Sequence, residues 1–212
     1  FYLDIIKDRQ YTTRTDSLPR RSAQTAMFRI VDALARWMAP ILSFTADEIW
    51  ENLPGEREDS VFLAGWGAPL LRLGSNDALD ATFWERVIAV RGAVNRELEA
   101  LRAAGKLRGS LDAQVTLYCD EELLVDLTRL GDELRFVLIT SDARLAPLAD
   151  APAEASTTEI DALKLIAAVS EAPKCERCWH RRVDVGANLA HPTLCSRCVS
   201  NVDGPGEIRY FA

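Results

Sequence analysis

Four cysteines near one end of this chain have types and a spacing that can do inorganic chemistry. Cys175, Cys178, Cys195 and Cys198 form C-x2-C-x16-C-x2-C within "KCERCWHRRVDVGANLAHPTLCSRC". A C-x-x-C turn lets two thiolates converge on one ion. Two such turns complete a tetrahedron with Zn–S distances of about 2.3 Å. Four sulfurs leave no open coordination position, so a zinc ion there is structural, not catalytic. Other readings compete. A thioredoxin-type redox pair lacks its βαβ setting here, and redox motifs do not come in matched pairs. Paired disulfides fit poorly with four cysteines crowded into one 24-residue stretch. Rubredoxin-like iron would use the same four sulfurs and stays open. The fifth cysteine, Cys119, ends an apolar alternating run and reads as a small buried hydrophobe. His180 and His191 lie inside the cage segment, but four sulfurs suffice, so both read as surface residues.

The cage carries "WHRR", with Trp179, Arg181 and Arg182, and Arg197 sits between its last two cysteines. Guanidinium groups meet phosphates, and an indole face stacks on a base at about 1–3 kcal/mol. Trp179 can equally pack under the knuckle as its miniature core.

The elements behind this segment must fold it and hold it. The chain has 212 residues, enough for one or two domains. Apolar residues make up 48% and charged residues 27%, as in ordinary globular proteins. No apolar run approaches the roughly 20 residues of a membrane span. No signal peptide opens the chain, and the cysteine pattern suits a reducing, cytoplasmic compartment. "FYLDIIKDRQY" begins in mid-helix without an initiator Met, with Phe1, Ile5 and Ile6 on one apolar side, so the chain reads as a piece of a longer protein. The net charge of −7 argues against a broadly basic nucleic-acid binder. Its distribution softens that objection: residues 1–38 hold seven Lys/Arg against four Asp/Glu, residues 174–212 six against four, and residues 109–173 four against thirteen.

Periodicity predicts a helix from Ser22 to Met38, with Ala23, Met27, Ile30, Leu34 and Trp37 as its apolar stripe and Arg21 and Arg29 on another face. "TADEIWENL" predicts a second helix, opened by a capping box between Thr45 and Glu48. Residues 55–80 read as a connector. A long helix follows from about Ala81 to Ala104, with Trp84, Val87, Val94, Leu98 and Leu101 as its stripe and Gly105 as a left-handed stop. "AQVTLYC" reads as a strand, "EELLVDLTRLGD" as a short helix ending at Gly131, and "LRFVLIT" and "LKLIAAVSEA" as further strands. The last forty residues have too few large apolar side chains for a core and need a staple.

Taken together, "CERCWHRRVDVG" and "LCSRCVSNVDGPGEIRYFA" resemble the C-terminal end of the bacterial isoleucyl-tRNA synthetase family. "YLDIIKDRQYT" and "QTAMFRIVDALARWMAPILSFTADEIW" resemble the anticodon-binding helices of class I synthetases for aliphatic amino acids. "FWERVIAVRGAVNRELEALRAAGKLRGSLDAQVTLYCDEEL" and "LGDELRFVLITS" resemble the region that follows. The resemblance implies an α+β chain in three parts: a helical anticodon-binding bundle truncated at its start (1–75), a small α+β module (76–172) and a zinc knuckle (173–212). It implies one structural zinc on Cys175, Cys178, Cys195 and Cys198. The implied role is to grip the anticodon stem and loop of isoleucine tRNA. The parent enzyme uses ATP, but the catalytic motifs HIGH and KMSKS do not occur in this sequence. Arg20, Arg21 and Arg29 are RNA-contact candidates by charge and position, beside Trp179, Arg181 and Arg182. The expected partners are that tRNA and the rest of the synthetase chain, with no membrane, in a monomeric cytoplasmic protein. Two rival readings stand beside this one: the DNA-binding finger of a DNA glycosylase, and a zinc-stapled structural module.

Overall fold

A computed structural model of the chain describes residues 1–67, 70, 74 and 79–211. The expected division at residues 75 and 76, and most of the later half of the connector, lie outside the described residues. Helix α1 (Tyr2–Thr12) turns into α2 (Leu18–Met38), which carries Pro19 in its first turn, where a missing N–H is harmless. Helix α3 (Ser43–Asn52) follows. Helix α4 (Ala81–Ala103) starts where Asp80 Oδ1 accepts the Phe83 N–H at 2.8 Å. It stops as expected at Gly105, whose φ is +71°. There the Lys106 N–H reaches the Leu101 carbonyl at 3.0 Å and the Gly105 N–H the Arg102 carbonyl at 2.9 Å. This pairing satisfies the helix's last carbonyls and needs a left-handed residue.

The sheet holds β1 (Ala113–Cys119), β2 (Asp142–Pro147), β3 (Ser156–Thr157) and β4 (Leu163–Val169) in the order β2-β1-β4-β3. Strands β1 and β2 run parallel, joined through α5 (Glu121–Thr128) and α6 (Leu134–Leu138), while β4 is antiparallel to β1. Leu117 of β1 faces Leu145 on one side and Leu165 on the other. The main core gathers Val87, Val94 and Leu98 of α4 with Leu117, Leu165 and the α5–α6 leucines. Ile5 and Ile6 of α1 join this same core, so packing runs across the division expected between the helices and the α+β module. A smaller core holds Ala35, Ala39, Ala46, Trp50 and Val61. Helix α7 (Ser196–Asp203) belongs to the knuckle. Among the described residues, no helix is long and apolar enough to cross a membrane.

Several expectations need correction. In the α2 stripe Ala23 is buried, but Leu34 and Trp37 are 40% and 47% exposed. Around the end of α2 the contact with α3 is made by the small residues Ala35 and Ala39, which allow close approach, with Met38 packed beside them and Arg36 over the Trp50 ring, and not by Leu34 or Trp37 of the expected stripe. No side chain caps α3: Leu42 holds the N-cap position and Thr45 lies inside the first turn. Asp47 instead accepts from Ser60 Oγ at 2.8 Å and from the Val61 N–H at 3.0 Å, tying down the loop that follows. "LRFVLIT" is not a strand but α6, ended by Ile139 at φ +57°. Leu134 through Leu138 are buried without alternation, a run whose period cannot separate strand from helix.

Candidate metal centre and the surfaces around it

Two short loops build the cage. In the first, the Trp179 N–H donates to the Cys175 carbonyl and the Cys175 N–H to the His180 carbonyl, both at 2.9 Å. In the second, Gly186, at φ +84°, lets its N–H reach the Leu194 carbonyl at 3.2 Å. A Cβ at Gly186 would stand 3.1 Å from the Pro192 carbonyl oxygen, which adds steric pressure to the backbone requirement. Cys195 then caps α7, and Cys198 lies in its first turn. The partial positive charge of that helix end favours thiolates.

The four Sγ atoms lie within 4.8 Å of one another, all buried, and none is in a disulfide. Cys178 and Cys195 Sγ are 3.8 Å apart. A tetrahedron with Zn–S near 2.3 Å has edges of about 3.8 Å, so the donor set and its size fit zinc. The Cys195 N–H points at Cys175 Sγ from 3.4 Å, and Arg177 Nη1 lies 3.9 Å from Cys198 Sγ, both offsetting thiolate charge. Val185 and Leu194 pack against the sulfurs and keep water off. Cys119 stands apart, buried in the sheet, where desolvation pushes its thiol up to about 12.

The knuckle is fastened to the first helix and the turn after it, where the Arg14 N–H and Nη1 bond Asn201 Oδ1 at 3.2 Å and the Gly204 carbonyl at 2.8 Å, and to the sheet side. Arg197 makes a forked pair with Asp8 of α1, Nη1 to Oδ1 at 2.7 Å and Nη2 to Oδ2 at 2.8 Å, and reaches Thr12 Oγ1 at 3.1 Å. Arg177 Nη1 donates to the Thr12 carbonyl. Arg209, from the tail, joins Asp8 at 2.9 Å and lies 3.4 Å over the Phe136 ring. The Tyr210 and Phe211 N–H groups bond Glu133 at 2.5 and 2.8 Å. Burial alone would raise the pKa of Asp8, but the hydrogen bond to Arg197 and the charges of Arg197 and Arg209 outweigh it and hold the carboxyl well below the usual carboxylate range. On the other side, Arg181 Nε pairs with Asp112 at 2.8 Å and its N–H donates to Ser141 Oγ at 2.6 Å.

The RNA-contact candidates therefore fall into different settings. Trp179 is 62% exposed with φ +66°, so it does not form the knuckle's miniature core. His180 is not at the surface: it is buried, with Nδ1 3.1 Å from the Cys178 carbonyl oxygen and its ring edge-on to Phe136. Arg181 is turned inward to Asp112, and Arg182 lies near Asp184 at 3.9 Å. Arg197 faces Asp8 and not solvent. Arg21 and Arg29 are exposed, Arg20 is half-buried, and none of the three makes an ion pair among the described residues. The sequence reading missed Asp8, Asp112, Ser141, Arg177 and Arg209. Only Arg177 carried a local signal, its place inside the first C-x-x-C.

Residues 1–117, more than half of the chain, match the anticodon-binding domain of tRNA ligases, and the chain belongs to that family. Residues 173–201 match the zinc finger found in FPG and IleRS. The full chain is 59% identical to the isoleucine–tRNA ligase of Ectopseudomonas mendocina and 58% identical to that of Pseudomonas putida. Over 211 residues it is 56% identical to the isoleucine–tRNA ligase of Methylococcus capsulatus. It spans 22% of the length of each of these relatives. The zinc-finger match and the four-sulfur geometry agree on one structural zinc.

Proposed function

We propose that this chain is the RNA-gripping end of an isoleucine–tRNA ligase. The whole enzyme would join isoleucine to its tRNA at the expense of ATP, in the cytoplasm and as a monomer. This part would hold the anticodon stem and loop and catalyse nothing itself. The division into helices (1–75), α+β module (76–172) and knuckle (173–212) would serve that task, with zinc on Cys175, Cys178, Cys195 and Cys198 fixing the knuckle's shape. Trp179 carries the reading. A large, largely exposed aromatic on a metal-fixed loop packs little and offers a face to an unstacked base. Arg20, Arg21, Arg29 and Arg182 would meet phosphates, while Arg181 would act through its grip on Asp112.

The zinc-finger likeness alone would also suit a DNA glycosylase, but the anticodon-binding match over residues 1–117 favours tRNA. Affinities for isoleucine tRNA, for the same tRNA with a changed anticodon and for lesion-bearing duplex DNA separate the readings. The first should be tightest. Preference for the duplex would point to DNA, and equal weak binding of all three to a structural module.

A further inference from the structure

Helix α2 packs on α1 and on α3, yet half of its apolar stripe stays open to water. The stripe is covered at its start, where Ala23 is buried and Met27 packs on the main core. From there the cover thins. Leu34 and Trp37 are nearly half exposed, Ile41 is 83% exposed, and Phe44, in the first turn of α3, is 93% exposed. We propose that this uncovered half is the seat of a further helix, contributed by the ligase polypeptide outside these 212 residues. The inference rests on the reading of the chain as part of an isoleucine–tRNA ligase and locates where the rest of that polypeptide docks.

Three observations identify the occupant. The first is spacing. Leu34, Trp37 and Ile41 follow one another at steps of three and four residues, and the backbone keeps a helical course past the end of α2. The Ala39 N–H bonds the Ala35 carbonyl at 3.1 Å, and the Ile41 and Leu42 N–H groups bond the Met38 carbonyl at 2.9 and 2.7 Å. The large side chains are thus held on an ordered rod, at the spacing that receives the apolar stripe of a second helix. A row of such residues left in water is uncommon on a soluble monomer and marks an interface.

The second is charge. From Leu34 to Ala46 the sequence holds one charged residue, Arg36. Its guanidinium is engaged by Asp32 at 3.1 Å and the Gly65 carbonyl at 2.6 Å, and lies over the Trp50 ring. A phosphate backbone needs cations that this face does not offer, so it suits an apolar protein surface and not RNA. The third is supply. The chain spans 22% of the length of the ligases that it matches at 56–59% identity, so most of such a polypeptide lies elsewhere. A helix of the same polypeptide arrives at a high effective concentration, an advantage that a second copy lacks.

The test uses the full-length ligase that carries this chain, with the photo-crosslinker p-benzoylphenylalanine in place of Phe44 and, in a second variant, in place of Trp37. Irradiation should give an adduct within one polypeptide. Peptide mass spectrometry should place its far end outside residues 1–212, in the same amphipathic segment for both variants. An adduct between two copies, an adduct to tRNA, or none at all in an enzyme that charges isoleucine tRNA overturns the proposal and leaves the ligase reading standing. Hydrogen exchange gives a second arm. Ile41→Ser with Phe44→Ser should leave exchange in α2 and α3 unchanged in the 212-residue chain, where both side chains already lie in water, and speed it about tenfold in the full-length ligase. The same response in both would show that the face is uncovered in the ligase too, and the proposal falls. If the full-length protein does not charge isoleucine tRNA, the ligase reading falls and this occupant with it.

Discussion

Trp179 holds a left-handed backbone conformation that costs a bulky L-residue about 1–2 kcal/mol relative to glycine. Glycine would close the same C-x-x-C turn without that strain, and the exposed indole repays little of it by packing. Strain kept without a packing reason points to work done on a ligand. Trp179→Gly should therefore leave thermal stability unchanged or raise it by up to about 1 kcal/mol, while RNA affinity falls by the roughly 1–3 kcal/mol of a lost stack, about 5-fold to 150-fold. Denaturation midpoints and anisotropy read the two effects separately. A loss of stability with unaltered affinity would return Trp179 to a packing role. Cys119 sets a second residue-scale expectation. With its thiol pushed up to about 12 it stays protonated at pH 10 in the native protein, whereas an unfolded cysteine, near 8.5, does not. Iodoacetamide should label it only after unfolding. Because its folded pKa is the higher one, its contribution to stability is complete below about pH 8.5 and drains away as pH rises toward 12.

At the scale of elements, helix ends carry the clearest tests. A Cβ at Gly105 meets nothing within 4 Å, so Gly105→Ala isolates the backbone requirement at φ +71°. It should destabilise by about 1–2 kcal/mol with no other change in structure, as urea midpoints would show. This turn was legible in advance, as were α4, β1, α5 and β4, because a stop residue or a clean period marks each one locally. Helix α6 was not. Its run is buried all round, so no period survives, and Ile139 ends it where glycine is expected. That turn delivers Ser141, whose Oγ bonds the Leu111 carbonyl and receives the Arg181 N–H, so it joins the sheet to the knuckle. Strand β2 was missed for a related reason: "DARLAP" has no apolar alternation, and its pairing with β1 defines it. The cage itself was readable, since four cysteines need only their spacing. Its fastenings were not: Arg197 finds Asp8 across 189 residues and Arg181 finds Asp112 across 69.

Over the whole molecule those fastenings make the knuckle part of α1's environment. Zinc removal by a chelator should therefore strip hydrogen-exchange protection from residues 174–211 and also from α1, while α4 and the sheet stay protected by their own core. Protection lost only after residue 173 would show the knuckle to be an independent appendage. The Asp8–Arg197 pair tests the coupling without touching the metal. Both side chains are nearly buried, at 13% and 12% exposure. Removing one partner of a buried pair costs about 3–5 kcal/mol, because the other is left charged and unpaired. Arg209 still meets Asp8, so Arg197→Met should fall near the lower end, about 3 kcal/mol, with zinc retained. Asp8→Asn with Arg197→Met should recover part of that loss, since the under-paired carboxylate is gone while Arg209 keeps Glu133 and Glu207. The lowered pKa of Asp8 fixes the sign with pH: the pair contributes fully above about pH 4 and weakens only as pH falls further, through the folded-state value. Additive losses in the double variant would mean that the two side chains do not act as a pair, and that the knuckle is held to α1 by Arg177 and the tail alone.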